Sequence, residues 1–198
     1  MPFTVGLTGG IGAGKSTVAR ILSECGAEIV EGDRLGKLAL DTQPDLQNAI
    51  RERFGEQVFH GNALNRRLLG ELVFTDKAHV DWLTAQTFPF IHAAWNRAVT
   101  ACEKNIIVFD AALIFEWGIP MEFDRIAVVT SQPGLIFQRA QSGRFDADTV
   151  ARRLKYQIPI EQKLAQADDV IDNSGTIEDL YQRVRLLYES WTASFKQN

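Results

Sequence analysis

Residues Gly9 to Ser16 read Gly-Gly-Ile-Gly-Ala-Gly-Lys-Ser, a complete G-x-x-x-x-G-K-[ST] pattern that follows directly on the apolar run Phe3 to Thr8. The chemistry open to such a segment is the grip of phosphate. A strand delivers the chain to a turn in which glycines aim several backbone N–H groups at one anion, and a helix then begins with its positive end toward the same charge. Thr17 to Leu22 supplies that helix. Gly10, Ile11, Gly12, Ala13 and Gly14 form the expected cradle for the phosphates of a nucleotide, with Thr17 in the first turn beneath them. Lys15 reaches the β- and γ-phosphates, and the Ser16 hydroxyl completes the coordination of Mg²⁺.

Carboxylates stand at the ends of other apolar runs. Asp33 follows the short run Ala27 to Val30, where it could orient an acceptor hydroxyl and take its proton as bonding to phosphorus develops. The competing role is an aspartate that starts a helix near Leu35. Glu31 shares the location, lies across the pleat from Asp33 if the strand continues, and could serve Mg²⁺ or substrate. Asp110 ends the most apolar run, Ile106 to Phe109, in a context like that of a Walker B aspartate holding Mg²⁺ directly or through water. Glu116 could touch substrate, although a solvated loop carboxylate is the simpler expectation. Arg139, Arg144, Arg152, Arg153 and Lys155 are concentrated in one later stretch. An arginine brought over the nucleotide would stabilise charge on the transferring group, and Arg139 and Arg144 are the expected pair. His60, His79 and His92 share no metal-ligand spacing.

The elements that must position these groups alternate between strand and helix. Apolar runs at Phe3 to Leu7, Ala27 to Val30, Ile106 to Phe109, Arg125 to Thr130 and Asp169 to Ile171 are each followed by a turn and a helical pattern. That order predicts an α/β domain with a parallel sheet of about five strands flanked by helices, its carboxyl ends along one ligand-binding edge. Residues 38–104 show helical periodicity and no convincing parallel strand, which predicts a helical substrate-binding insertion. Residues 138–166, rich in Arg, Gln, Lys and Ala, predict a helical lid standing away from the core. One domain results, with core segments 1–37, 105–137 and 167–198. Such a plan suits a phosphotransferase that closes to keep water from the phosphoryl group.

Composition narrows the classes further. The chain has 198 residues, 45% hydrophobic and 23% charged, with net charge -4. That length and balance suit a globular core, and the acidity gives no general attraction to nucleic acid or anionic membrane. No export signal is visible, and Ile106 to Phe115, interrupted by Asp110, is too short to span a bilayer. Cys25 and Cys102 are expected to be reduced, buried thiols of a cytoplasmic protein.

The residues resemble the dephospho-coenzyme A kinase family over nearly the whole chain. The resemblance rests on Gly6 to Ser16, Glu31-Gly32-Asp33, Leu64-Asn65-Arg66 followed by Leu72-Val73-Phe74, and Asp110 with Leu113-Ile114-Phe115-Glu116. It continues through Arg153-x-x-x-Gln157 and Ala167 to Gly175. It implies a P-loop NTPase fold and transfer of the ATP γ-phosphoryl group to the ribose 3'-hydroxyl of dephospho-coenzyme A, with Mg²⁺. It also implies that Asp33 is the base, that Lys15 holds phosphate and that Arg139 and Arg144 assist. Thr8, Asp33, Arg66, Asp110 and Glu116 would face the acceptor, and Asn173 would lie near the ATP adenine, although a turn before the last helix explains Asn173 and Gly175 as well. The chain departs from the family pattern at Glu31 (usually Asp), Phe88 (usually His before Pro89), Ala112 (usually Pro) and the spacing of Arg139 and Arg144. Open alternatives are a related small-molecule or nucleoside monophosphate kinase, a nucleotide-driven switch, and a relative that binds coenzyme A without phosphorylating it. The oligomeric state is not specified by these features.

Overall fold

The computed structural model describes residues 1–117, 121–135 and 156–195. The chain divides into two compact units, one formed by Met1–Glu31 with Arg97–Asn198 and the other by Gly32–Asn96.

The first unit is built on a five-stranded parallel sheet. Its strands are β1 (Phe3–Gly9), β2 (Glu28–Glu31), β5 (Ile106–Asp110), β6 (Arg125–Thr130) and β7 (Asp169–Asp172), in the spatial order β2-β5-β1-β6-β7. Ile106, Ile107, Val108 and Phe109 are all fully buried, so this strand is covered on both faces and reads as a continuous apolar run. The register sets Leu7 beside Asp110, Glu31 beside Asp110, and Gly9 beside Val129. All four pairings are parallel, so the carboxyl ends of the strands share one edge.

Helix α1 (Lys15–Glu24) buries Val18, Ile21 and Leu22, and the last helix, α7 (Ile177–Phe195), buries Leu180, Val184 and Trp191 in the same core. A capping box starts α7: the Asp179 N–H donates to Thr176 Oγ1 at 3.1 Å, and the Thr176 N–H donates to Asp179 Oδ2 at 3.1 Å. The Thr176 backbone N–H, helped by its hydroxyl, holds the Asp179 carboxyl below the ordinary carboxylate range. Near its other end the Trp191 indole N–H donates to Asp169 Oδ2 at 3.0 Å, an oxygen that also accepts from Arg125 Nε at 2.7 Å.

The second unit is largely helical. It holds α2 (Gly32–Thr42), α3 (Pro44–Phe54), the two-residue antiparallel strands β3 (Phe59–His60) and β4 (Ala63–Leu64), α4 (Arg66–Val73) and most of α5 (Lys77–Ala101). Asn65 caps α4 by accepting from the Leu68 N–H at 3.1 Å. Leu46, Ile50, Phe54, Val58, Leu69 and Val73 give this unit its own apolar core. Pro89 sits inside α5.

Four sequence expectations need correction. Helix α2 begins at Gly32, not near Leu35, so Asp33 lies in its first turn and no strand continues from Glu31 to Asp33. Strand β2 starts at Glu28, after Ala27, and β1 runs on to Gly9 because β6 pairs with it there, Thr8 beside Val128 and Gly9 beside Val129. Residues 156–166 do not stand away from the core: helix α6 (Ile160–Ala165) buries Lys163 to 1% exposure. The two free cysteines are only half-buried, and partial burial raises the Cys25 thiol pKa. Arg139 and Arg144 lie outside the described residues.

The fold makes Trp191 a strong test of the first unit's core, since it is 1% exposed and hydrogen-bonded to Asp169. Trp191→Ala is expected to lower unfolding free energy by about 3–5 kcal/mol in chemical denaturation, the range for truncating a buried large aromatic.

Candidate active site

The phosphate loop hangs from the carboxyl end of the central strand. Gly12 and Gly14 adopt positive φ values of 80° and 94°, conformations that glycine reaches without a Cβ penalty. The Ala13 N–H closes the turn on the Gly10 carbonyl at 3.2 Å, and the Thr17 and Val18 N–H groups both bond to the Gly14 carbonyl as α1 begins. Gly14 caps α1 with no side-chain hydrogen bond, and the first turn holds no acidic residue. The helix therefore presents its positive end with no carboxylate in that turn to neutralise it. Ser16 is exposed there.

Lys15 is the charge of the loop, and it forms an ion pair with Asp110 at the end of the neighbouring strand. The side chains are 20% and 11% exposed, so the pair is reachable from solvent. A phosphate arriving at the loop can take over the ammonium and leave the Asp110 carboxylate to a cation. Glu31 is exposed and stands beside Asp110 in the sheet register. Ser16 and Asp110 are hard oxygen donors of the kind Mg²⁺ accepts alongside phosphate oxygens and water. Among the described residues no group of three or more His, Cys, Asp or Glu side chains could hold a metal without such help.

Asn173 grips the loop from behind. It is 7% exposed; its Nδ2 donates to the Ala13 carbonyl at 2.8 Å, its own N–H donates to Thr130 and its carbonyl accepts from the Ser131 hydroxyl at 2.8 Å. Strands β6 and β7 thereby brace the phosphate loop. A Cβ added at Gly14 would lie 2.0 Å from Asn173 Nδ2, so the close approach requires glycine.

A second buried cluster lies behind the turn at 111–117. The Thr8 hydroxyl, fully buried, donates to the Ala112 carbonyl at 3.1 Å. Lys163 Nζ donates to that same carbonyl at 2.9 Å and pairs with Glu116 Oε1 at 2.7 Å. The Ile158 N–H also donates to Oε1, at 3.0 Å, while Glu116 Oε2 is buried with no hydrogen-bond partner among the described residues. Glu116 is thus not a solvated loop carboxylate: its side chain is 9% exposed and neutralised by a buried cation.

Among the predicted site residues of the first unit, Thr8, Gly10 to Thr17, Asp110, Glu116 and Asn173 all lie on β1, on the loop, or on segments tied to them by the bonds above. In the helical unit, Asp33 is exposed in the first turn of α2, and Arg66, at the start of α4, pairs with Asp41 at 2.9 Å. Sequence reasoning missed Lys163, and it missed that Asn173 bonds the loop's backbone. Nothing local marks either residue, because both partners, Ala112 and Ala13, are distant carbonyls that any residue could supply.

Comparison with known proteins follows the same outline. The family model for dephospho-CoA kinase (CoaE) matches residues 3–179. A dephospho-CoA kinase of Chlorobaculum tepidum is 33% identical, covering 96% of this chain and 95% of its own. One of Syntrophotalea carbinolica is 36% identical over 91% of this chain and 88% of its own. Among solved structures, a Thermus thermophilus protein matches with TM-score 0.82 at 28% identity, covering 96% of this chain and 97% of that one. Dephospho-CoA kinase from Campylobacter jejuni shares the fold with TM-score 0.71 at 24% identity, over 98% and 99% of the two chains.

The loop geometry makes Gly14 its most sensitive position. Gly14→Ala is expected to weaken ATP binding in calorimetric titration by about 5- to 150-fold, since a strained backbone position of this kind costs about 1–3 kcal/mol. Unchanged affinity would show that Asn173 gives way freely.

Proposed function

The chain belongs to the dephospho-CoA kinase family, and from that membership and the loop geometry we propose how its residues divide the work of the reaction. The protein phosphorylates dephospho-CoA with ATP as phosphoryl donor, a step of coenzyme A biosynthesis. Family membership along residues 3–179 is the observation that carries the acceptor's identity; the phosphate loop alone would fit many donors and acceptors.

On this reading the loop from Gly10 to Thr17 holds the ATP phosphates, and Lys15 exchanges its partner Asp110 for the β- and γ-phosphates. Ser16 and Asp110 would hold Mg²⁺, the second through water, and the ion would supply charge neutralisation on the phosphate oxygens. The acceptor nucleophile is the ribose 3'-hydroxyl. Its oxygen bonds to the γ-phosphorus as the bond to the ADP oxygen breaks, and Asp33 orients the hydroxyl and takes its proton. Asp33 stands in the first turn of the helical unit, two residues along the chain from Glu31, whose strand partner is Asp110. Arg66 is the acceptor contact on the helical segment 38–104 that carries it; Thr8, fully buried, and Glu116, paired with the buried Lys163, do not contact the acceptor and instead hold the turn at 111–117. Asn173 acts on ATP by fixing the loop's backbone. Arg139 and Arg144, outside the described residues, are the proposed stabilisers of charge on the transferring group, and the lid role proposed for 138–166 falls to the part of that segment ahead of 156, since 156–166 packs on the core. Catalysis is then mostly positioning and electrostatics, as phosphoryl transfer demands.

The test is turnover by purified protein with ATP, Mg²⁺ and dephospho-CoA, followed by mass. Lys15→Ala is expected to abolish detectable product and ATP binding together. Asp33→Asn is expected to lower kcat by about 10²- to 10⁴-fold, the usual contribution of a positioned base, with ATP affinity retained. Chelation by EDTA should stop turnover, and excess Mg²⁺ should restore it. Product formation by Asp33→Asn at the parent rate would remove Asp33 from the reaction.

A further inference from the structure

Lys163 is the least exposed charged side chain among the described residues, at 1%, and no step of the reaction above uses it. It lies on α6 and reaches across to two groups of the turn that follows β5, the Ala112 carbonyl at 2.9 Å and Glu116 Oε1 at 2.7 Å. We propose that Lys163 is a positioning residue for phosphoryl transfer, acting through Ala112 and Glu116 to fix the turn between Asp110 and Trp117 against the end of β1. The proposal rests on the functional reading above, since it concerns the groups that reading places around the phosphates.

The turn is tied at three points. At its start the Ala111 N–H donates to the Leu7 carbonyl at 3.1 Å, and at its end the Trp117 N–H donates to Leu113 at 3.1 Å. Between them the Ala112 carbonyl takes two donors at once, Lys163 Nζ and the Thr8 hydroxyl. Thr8 lies immediately before the loop sequence that begins at Gly9, and Asp110, which pairs with Lys15, lies immediately before the turn. One ammonium therefore bears on both chain segments that set the Lys15–Asp110 geometry.

A buried ion pair is a poor way merely to fill space, because apolar side chains of the same volume commonly hold a fold as well or better. What it adds is direction. The ammonium has three N–H donors whose acceptors must lie at set angles, and two of them are met here by a carbonyl and a carboxylate of the same turn. Glu116 Oε1 is further pinned by the Ile158 N–H, just ahead of α6. Among the described residues Glu116 Oε2 has no hydrogen-bond partner, so the bonds of this carboxylate all fall on Oε1.

The experiment compares the parent with Lys163→Met, Glu116→Gln and the double variant Lys163→Met/Glu116→Leu. The single lysine variant strands a buried carboxylate and can fail to fold; the double variant removes both charges and keeps the test in hand. Readouts are thermal unfolding, kcat, both KM values, and hydrogen exchange of the 111–117 backbone. The double variant is expected to unfold near the parent temperature while kcat falls about 10- to 100-fold, as small misplacements at a reacting centre do. Its KM for ATP should stay within about threefold, placing the loss in the transition state. Exchange across 111–117 should quicken, and Glu116→Gln, which keeps an Oε1 acceptor, should recover most of kcat. A double variant with parent kcat, or a loss carried entirely by KM for ATP, overturns the proposal alone. A parent protein that fails to convert dephospho-CoA overturns the functional reading and the proposal with it.

Discussion

The pairing of β1 on both edges is the constraint from which the rest of the site follows. Because β5 lies on one side and β6 on the other, β1 is fixed in register along its whole length and its end cannot slide. The phosphate loop therefore leaves the sheet at one defined point, and Asp110 stands beside Leu7, within reach of Lys15. Buried strands on both sides make this a rigid platform, with Val5, Leu7, Val108 and Val129 all at zero exposure. Rigidity matters because donors aimed at phosphate before it arrives stabilise charge without reorganising.

Around that platform the protein uses two lysine–carboxylate pairs with opposite characters. Lys15 and Asp110 are partly open to solvent, so each can exchange the other for a ligand group. Lys163 and Glu116 are shut in, and the same two residues bound one turn of chain with a carbonyl that Thr8 also grips. The first pair suits chemistry and the second suits alignment. Asn173 does comparable work on the other flank, where one side-chain amide ties the loop to the ends of β6 and β7.

The parts of the fold governed by local pattern were legible in the sequence. A continuous apolar run such as Ile106 to Phe109 can only be satisfied by burial on both faces, and the glycine-rich turn with Lys15 and Ser16 carries its own geometry. The strand limits were less so: β1 gains Thr8 and Gly9 because β6 pairs with them there, a tertiary cause. Asp33 moved from strand end to helix start because Gly32 begins α2 directly after Glu31, with the acidic residue favoured in a first turn. Glu116 was read as a solvated loop carboxylate and Lys163 was not singled out, since 46 intervening residues hide the fact that each is the other's counter-ion. Sequence spacing shows neighbours on one element; it does not show which distant carbonyl or carboxylate will neutralise a buried ammonium.

The central claim is transfer from ATP to a single ribose oxygen, and the most direct measurement follows the transferred atom. Purified protein incubated with Mg²⁺, dephospho-CoA and ATP labelled at the γ-phosphorus should pass the label to the acceptor, with phosphorus–proton correlation placing it on the ribose 3'-oxygen and ADP formed in equal amount. Label appearing as free phosphate, or on any other oxygen of the acceptor, would contradict the account.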